Sequence, residues 1–463
     1  MKRNLFHVMV SNLFYLIVVA GTNFVLPRFT SVETYAAIKE YTLYITTYAD
    51  IVTLGYLQGV YIRFGGKNIK EISAKEIGAN FYTFVFFMLP IAVLLSLYGF
   101  FARNSVIVVM GAGLLATEIV MYFQLLYQAT GEFKAYGVAL NASKVLVFFA
   151  YLFLIFGLPK EIQILFVGAA PTTCVVVAVY LSVRLDKRIY FLREIRISLN
   201  EYRRSIKDGF VVMLGNFVTS FFTTIDRWFV KTLMATVNFA FYSFAVSLEN
   251  IVNTFMRPIT VSMYNYFCKK PSSDEIASIK DVTVMYSFIV IAAAYPAKWI
   301  MEHFIPNYLP TVTIVFPLFA AQGISTIIKG IYVNKYKADG EQNRYLYQMI
   351  GVLLLAIVLN GFFYSLYHSM TAIATATLVT NIAWFFYSEL KTPEIRCGIR
   401  TYIAMLIMLL IYLYSGIVLN SVVGMLVYGA VGVVCSFVLM NSTTRYILNI
   451  VSSTVKKKLV RGK

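Results

Sequence analysis

Apolar runs recur along nearly the whole chain, from Leu5 to Met440, each near the ~20 residues that carry a helix across a bilayer. Short polar segments rich in lysine and arginine separate them. No stretch alternates apolar with polar residues over the ~10 positions of a membrane barrel strand. The pattern predicts an all-α polytopic membrane protein with about 14 transmembrane helices. They fall near 5–27, 35–61, 78–102, 105–127, 134–157, 161–183, 209–231, 238–264, 281–302, 311–333, 345–366, 370–390, 401–418 and 421–441. Spans 2, 7 and 8 are the most polar.

Composition supports this class. Hydrophobic residues make up 59% of the 463 and charged residues 13%, against roughly 25% charged in a soluble domain. The net charge of +18 is unevenly spread. With the N-terminus in the cytoplasm, 30 of the 40 lysines and arginines fall on cytoplasmic segments and 5 on the opposite face. This positive-inside bias predicts that both termini are cytoplasmic. The tail VKKKLVRGK and the loop LDKRIYFLREIRISLNEYRRSIK then suit anionic membrane lipids, not nucleic acid. The start, MKRNLFHVMV, has no small-residue cleavage site after it and reads as the first span.

The basic loop divides the chain. Residues 1–184 are expected to form an N-terminal six-helix lobe and 185–208 a basic cytoplasmic linker. Residues 209–392 would form a second six-helix lobe, and 393–463 two additional helices and a basic cytoplasmic tail. A faint internal repeat accompanies the division. MVSNLFYLIVVAGTNF of span 1 aligns with MLGNFVTSFFTTIDRW of span 7, placing Asn12 opposite Asn216 and Thr22-Asn23 opposite Asp226-Arg227. Both spans leave the cytoplasm, as parallel repeats would, although apolar helices also resemble one another by chance.

Charges inside spans carry most of the information, because each costs ~2.5–3.5 kcal/mol at a helix centre and usually faces a cavity or partner. Asp50, Glu118, Lys144 and Glu249 lie near the middle of their spans. Arg257 and Lys329 lie toward the cytoplasm, and Asp226 and Arg227 toward the outer surface. Polar stripes at steps of 3 or 4 run through Lys39, Thr42, Thr46, Asp50 and Thr53; Asn216, Ser220, Thr223, Arg227 and Lys231; Tyr242, Glu249, Asn253 and Arg257; and Gln322, Ser325 and Lys329. A single threonine or asparagine in such a stripe reads best as interhelical glue. The charges grouped in spans 2, 7 and 8 read better as the lining of a hydrated cavity. Arginine would suit phosphate there, through its planar fork of donors.

Adjacent residues point roughly 100° apart on a helix. Arg227 is therefore expected to face the cavity and Asp226 to be pinned to the opposite lobe, with Trp228 in an interfacial belt. The competing reading is a polar helix end anchored at the surface. Cys174, Cys268, Cys397 and Cys435 lie far apart, as do His7, His303 and His368. Neither set predicts a disulfide, a metal site or a cofactor. No phosphate-binding glycine loop or hydrolase motif is present, and a non-enzymatic transport role fits best.

The resemblance to a known family is distributed over nearly the whole chain. Span 2 ends GYLQGVYIRFGGK, span 4 leads into LLYQATGEFKAY, and span 7 carries IDRWFV followed by FAFYSFAVSLENIVNTFM. With the helix count and the basic central loop, these features resemble polysaccharide transporters of the multidrug/oligosaccharidyl-lipid/polysaccharide superfamily. The type is the O-antigen and exopolysaccharide flippase (Wzx-type). Matching positions are Asp226, Arg227 and Arg63. Departures are Tyr35-Ala36, where the family commonly has Tyr-Gly, and the lack of the charged span 1 pair of lipid II flippases.

The resemblance implies two lobes around a partly cationic cavity, alternating access, and a location in the bacterial inner membrane. Its implied cargo is an undecaprenyl-diphosphate-linked oligosaccharide, with a polysaccharide polymerase and chain-length regulator as partners. On this reading Lys144, Arg227, Arg257, Lys329, Tyr242 and Asn253 bind substrate. Asp50, Glu118, Asp226 and Glu249 balance charge or carry a coupling ion. The alternatives are a cation-coupled multidrug antiporter of the same superfamily and a membrane polysaccharide polymerase.

Overall fold

The computed structural model describes Val18 and residues 21–153, 159, 162–163, 166, 169–445 and 447. Inside the helices, the side chains of Asp50 and Arg257 lie outside the described set. The described residues form helices and connecting turns, as the apolar pattern requires. Among the described residues, nine helices are long and apolar enough to cross a membrane, and a bent pair makes a tenth. By packing, the chain divides into two compact units, Met1–Thr224 and Ile225–Lys463.

In the first unit, a helical stretch at residues 21–29 precedes α1 (Val32–Val52), α2 (Tyr56–Phe64), α3 (Ala74–Phe101), α4 (Ser105–Ala129), α5 (Phe133–Leu152), α6 (Cys174–Ile189) and α7 (Leu199–Phe222). Span 2 was expected to be one helix. It is broken between α1 and α2, where Leu54 and Gly55 adopt left-handed φ of 49° and 81°. α2 then crosses α7 at backbone contact. A Cβ on Gly59 would lie 2.0 Å from the Ser205 carbonyl oxygen, and one on Gly209 2.0 Å from the Gly55 oxygen. Such pairs of small residues let helix backbones approach where lipid leaves no hydrophobic force between helices. Arg63, at the end of α2, locks the crossing. Its Nε donates to Glu76 at 3.1 Å and its guanidinium pairs with Glu201. Both glutamates sit in first turns that begin with serine caps, Ser73 and Ser198.

The basic stretch between α6 and α7 is fastened to the unit. Phe191 is buried among Phe81, Tyr122 and their neighbours. Tyr82 donates to the Leu192 carbonyl at 2.7 Å, and the Ser198 amide donates to Thr83 at 3.0 Å. α7 begins at Leu199, ten residues before the expected start of span 7.

The second unit contains α8 (Ile225–Leu233), α9 (Thr236–Phe267), α10 (Ser273–Ile291), α11 (Ala294–Phe304) and α12 (Val312–Ile327). A π-helical turn at Ile328–Val333 leads to α13 (Asn334–Ala338), α14 (Gln342–Tyr367), α15 (Met370–Lys391), α16 (Ile399–Val418) and α17 (Ser421–Val438). α12 is the central rod, with Thr313 its one residue that is not buried; α9, α10, α15 and α16 pack on it. α16 and α17 form a hairpin that meets the other helices through Tyr295, Tyr412 and Tyr428, whose rings lie 5.3–5.9 Å apart.

Candidate functional site: a charged cluster in the second unit

Span 7 was expected to run unbroken over 209–231, carrying Arg227 on the face of Ser220 and Thr223. Instead α7 ends at Phe222 and α8 begins at Ile225, so the stripe is interrupted. Thr223 and Thr224 at the break turn their hydroxyls back on the Ser220 carbonyl, at 2.8 and 3.0 Å. Such bonds weaken the helical ladder locally and favour a bend.

The break also explains how an aspartate is tolerated there. Asp226 lies in the first turn of α8, where amide hydrogens lack helical partners and a negative charge is favoured. It is 6% exposed. Its Oδ1 accepts from the Arg227 amide at 2.7 Å, and its Oδ2 accepts from the Tyr242 hydroxyl at 2.9 Å. The expected tie to the opposite lobe is not the one formed by these bonds, because Tyr242 belongs to α9 of the same unit. Thr377 of α15 also meets the Tyr242 hydroxyl.

Further charges gather around this pair. Arg227 is half-buried, and its Nε is enclosed without a hydrogen-bond partner among the described residues. Glu249, two turns after Tyr242 on α9, lies within electrostatic range of Asp226, Arg227 and Lys329. Lys329 sits in the π-helical turn. From Ile314 to Asn334 it is the only residue that is not buried. A π-bulge re-aims side chains that a regular helix would turn elsewhere, and such bulges concentrate at functional sites. The stripe Gln322, Ser325 and Lys329 is thus mostly packed, and its lysine alone is only half-buried.

The arrangement therefore brings together Asp226, Arg227, Tyr242, Glu249 and Lys329. Asn253 is half-buried one turn beyond Glu249. In the first unit, Glu118 is buried and Lys144 is exposed on α5. Asp50 and Arg257 lie outside the described side chains. The threonines of span 2 bond locally: Thr42 donates to the Ile38 carbonyl at 2.9 Å and Thr46 to that of Thr42 at 2.7 Å. Lys39 donates to Asn23 at 3.1 Å and lies over the Tyr35 ring.

Sequence reasoning missed two features. Thr377 gave no charge signal. The pair Lys280–Glu389, at 3.1 Å with side chains 0% and 3% exposed, lies at the ends of expected spans, where charge carries little signal. Tyr332, Tyr402 and the Cys397 amide all donate to Glu389. Burial pushes the Cys397 thiol pKa above its ordinary range. Among the described residues no group of histidine, cysteine or carboxylate side chains could hold a metal ion.

No family model matches the chain, and no curated protein matches it. Solved structures do. The chain is similar to a lipid II flippase, MurJ, in an inward closed conformation, with a TM-score of 0.71 at 13% identity, covering 94% of this chain and 99% of that one. It is also similar to an inward-facing multidrug resistance MATE family transporter of the MOP superfamily, with a TM-score of 0.56 at 12% identity, covering 82% and 95%. A third is the MATE multidrug transporter DinF-BH, with a TM-score of 0.53 at 10% identity, covering 84% and 94%. The chain is thus a polytopic helical membrane protein with the fold that these flippase and multidrug-transporter structures share.

Proposed function

We propose that the protein is a flippase. It moves an undecaprenyl-diphosphate-linked oligosaccharide repeat unit from the cytoplasmic to the outer leaflet of a bacterial inner membrane, by alternating access. The reading places it in O-antigen, capsule or exopolysaccharide synthesis. The observation that carries it is Lys329, the one residue between Ile314 and Asn334 that escapes burial. With Arg227 it supplies positive charge for a diphosphate or an acidic sugar. Glu249 lies within electrostatic range of both cations and, on this reading, keeps them from holding an anion too tightly to release. Arg257, Asn253 and Lys144 extend the proposed binding set, and Asp50 and Glu118 the charge-balancing set.

Two further observations support a lipid-linked cargo. An apolar groove of about 450 Å³ runs between α10, α16 and α17, past Met408, Met425 and Gly432, and suits a polyprenyl chain. One structure sharing the fold is itself a lipid II flippase. Vesicle reconstitution tests the proposal. Lys329→Ala and Arg227→Ala are each expected to slow translocation of lipid-linked oligosaccharide at least tenfold. An unchanged rate in both overturns the site assignment.

The second reading, a cation-coupled multidrug antiporter, is favoured by the two carboxylates Asp226 and Glu249 within electrostatic range of each other and by the multidrug transporters that share the fold. It predicts that Glu249→Gln abolishes organic-cation export by cells, and that lipid-linked oligosaccharides do not move.

A further inference from the structure

We propose that the groove between α14 and α15 binds one anionic glycerophospholipid of the cytoplasmic leaflet. The groove has a volume of about 640 Å³ and follows α14 from Arg344 to Leu355. At 1.5 Å per residue this is ~16 Å, the depth of one leaflet of a ~30 Å hydrocarbon core. Its polar mouth lies at the start of α14 and the end of α15, the side that the lysine and arginine pattern assigns to the cytoplasm.

The walls suit an acyl chain. Val352, Leu355 and Ala383 line the deep part, and Trp384, 1% exposed, backs it. Gly351 opens the middle, because the space a Cβ would occupy has no atom within 4 Å. A lipid-facing helix pair is ordinarily convex, with side chains filling the seam. Here an absent side chain over a large fixed ring leaves a trough.

The mouth suits a phosphodiester. The Arg344 guanidinium is held over the Tyr336 ring at 4.7 Å, donates to the Lys391 carbonyl at 2.9 Å and pairs with Glu341 at 2.6 Å. A guanidinium fixed in this way keeps further N–H donors in a plane for phosphate oxygens. The exposed Lys391 ammonium lies 5.7 Å from the Tyr387 ring. The acids at this end have cations beside them: Glu341 pairs with Arg344, while Glu394 lies 3.9 Å from Lys335. Tyr347 and Tyr387, 72% and 46% exposed, flank the mouth, as aromatic residues do at headgroup level. Two cations, aromatic shoulders and an apolar trough one leaflet deep match an anionic phospholipid better than a zwitterionic one.

Trp384 makes the site directly readable. With Trp228→Phe and Trp299→Phe it is the only tryptophan. This protein is reconstituted in phosphatidylcholine containing phosphatidylglycerol, with one or the other lipid brominated on its acyl chains. Brominated phosphatidylglycerol is expected to quench Trp384 at a several-fold lower mole fraction than brominated phosphatidylcholine. Gly351→Leu, which fills the trough, is expected to abolish that difference. Lys391→Gln, on an exposed side chain that folding does not need, is expected to reduce it, and Arg344→Gln with it to remove it. Equal quenching by the two lipids in the parent protein overturns the proposal. So does a difference that survives both Gly351→Leu and Lys391→Gln. Displacement of brominated phosphatidylglycerol by equimolar undecaprenyl phosphate also overturns it, and assigns the groove to a polyprenyl lipid.

Discussion

In the first unit the described polar residues expected within the membrane have different settings. Glu118 is buried, Lys144 is exposed on α5, and Lys39 reaches Asn23. In the second unit Asp226, Arg227, Glu249 and Lys329 share one neighbourhood with Tyr242. The repeat makes the contrast sharper. Thr22-Asn23 aligns with Asp226-Arg227, and each pair is tied to the next helix: Asn23 to Lys39 of α1, and Asp226 to Tyr242 of α9. The acceptors stand at adjacent positions of the alignment, Asn23 opposite Arg227 and Asp226 opposite Thr22, and one accepts from an amine, the other from a phenol. The first unit instead concentrates its close packing at the α2–α7 crossing, where glycines let backbones touch. Backbone contact there fixes helices; the charge cluster of the second unit is the proposed site.

Tests of this contrast can be ranked by expected effect. Largest is Lys280→Ala in the second unit, which leaves Glu389 buried without its cation. Breaking a buried pair costs ~3–5 kcal/mol, read as a fall in thermal stability of the purified protein; an unchanged midpoint would show that the pair carries no structural weight. Next is Gly59→Ala, which forces a methyl group against the Ser205 carbonyl. Overpacking costs ~1–3 kcal/mol, whereas Gly351→Ala, entering open space, is expected to stay within ~0.5 kcal/mol. Equal melting shifts for the two glycines would remove the claim that the crossing is special. Tyr242→Phe follows, removing a hydrogen bond to a charged acceptor worth ~1.5–3 kcal/mol. It should also lower transport, and a stability loss with full transport would reduce the cluster to a structural role.

The all-helical membrane class and most of the long apolar helices were readable because apolar length and basic loops are local properties. Two breaks were not. Nothing in LGYLQGVYIRF marks Leu54-Gly55 as the end of one helix more strongly than as a permissive step within it. TTIDRW reads equally well as continuous helix or as a turn into a new one. Lys280 and Glu389 escaped notice for a related reason, since each lies at the edge of an apolar run, where a charge is ordinarily solvated.

The sequence by itself determined that the chain crosses a membrane repeatedly, which helices are polar, and that their charges include both signs. Hydropathy and charge are summed over short windows and need no partner. Only the tertiary structure decided which charges meet. The break after Phe222 turns Asp226 into the first turn of a new helix, and the π-helical turn at Ile328–Val333 brings Lys329 into the range of Glu249. Both depend on where backbone hydrogen bonds fail, and that is settled by packing between distant segments, not by residue type.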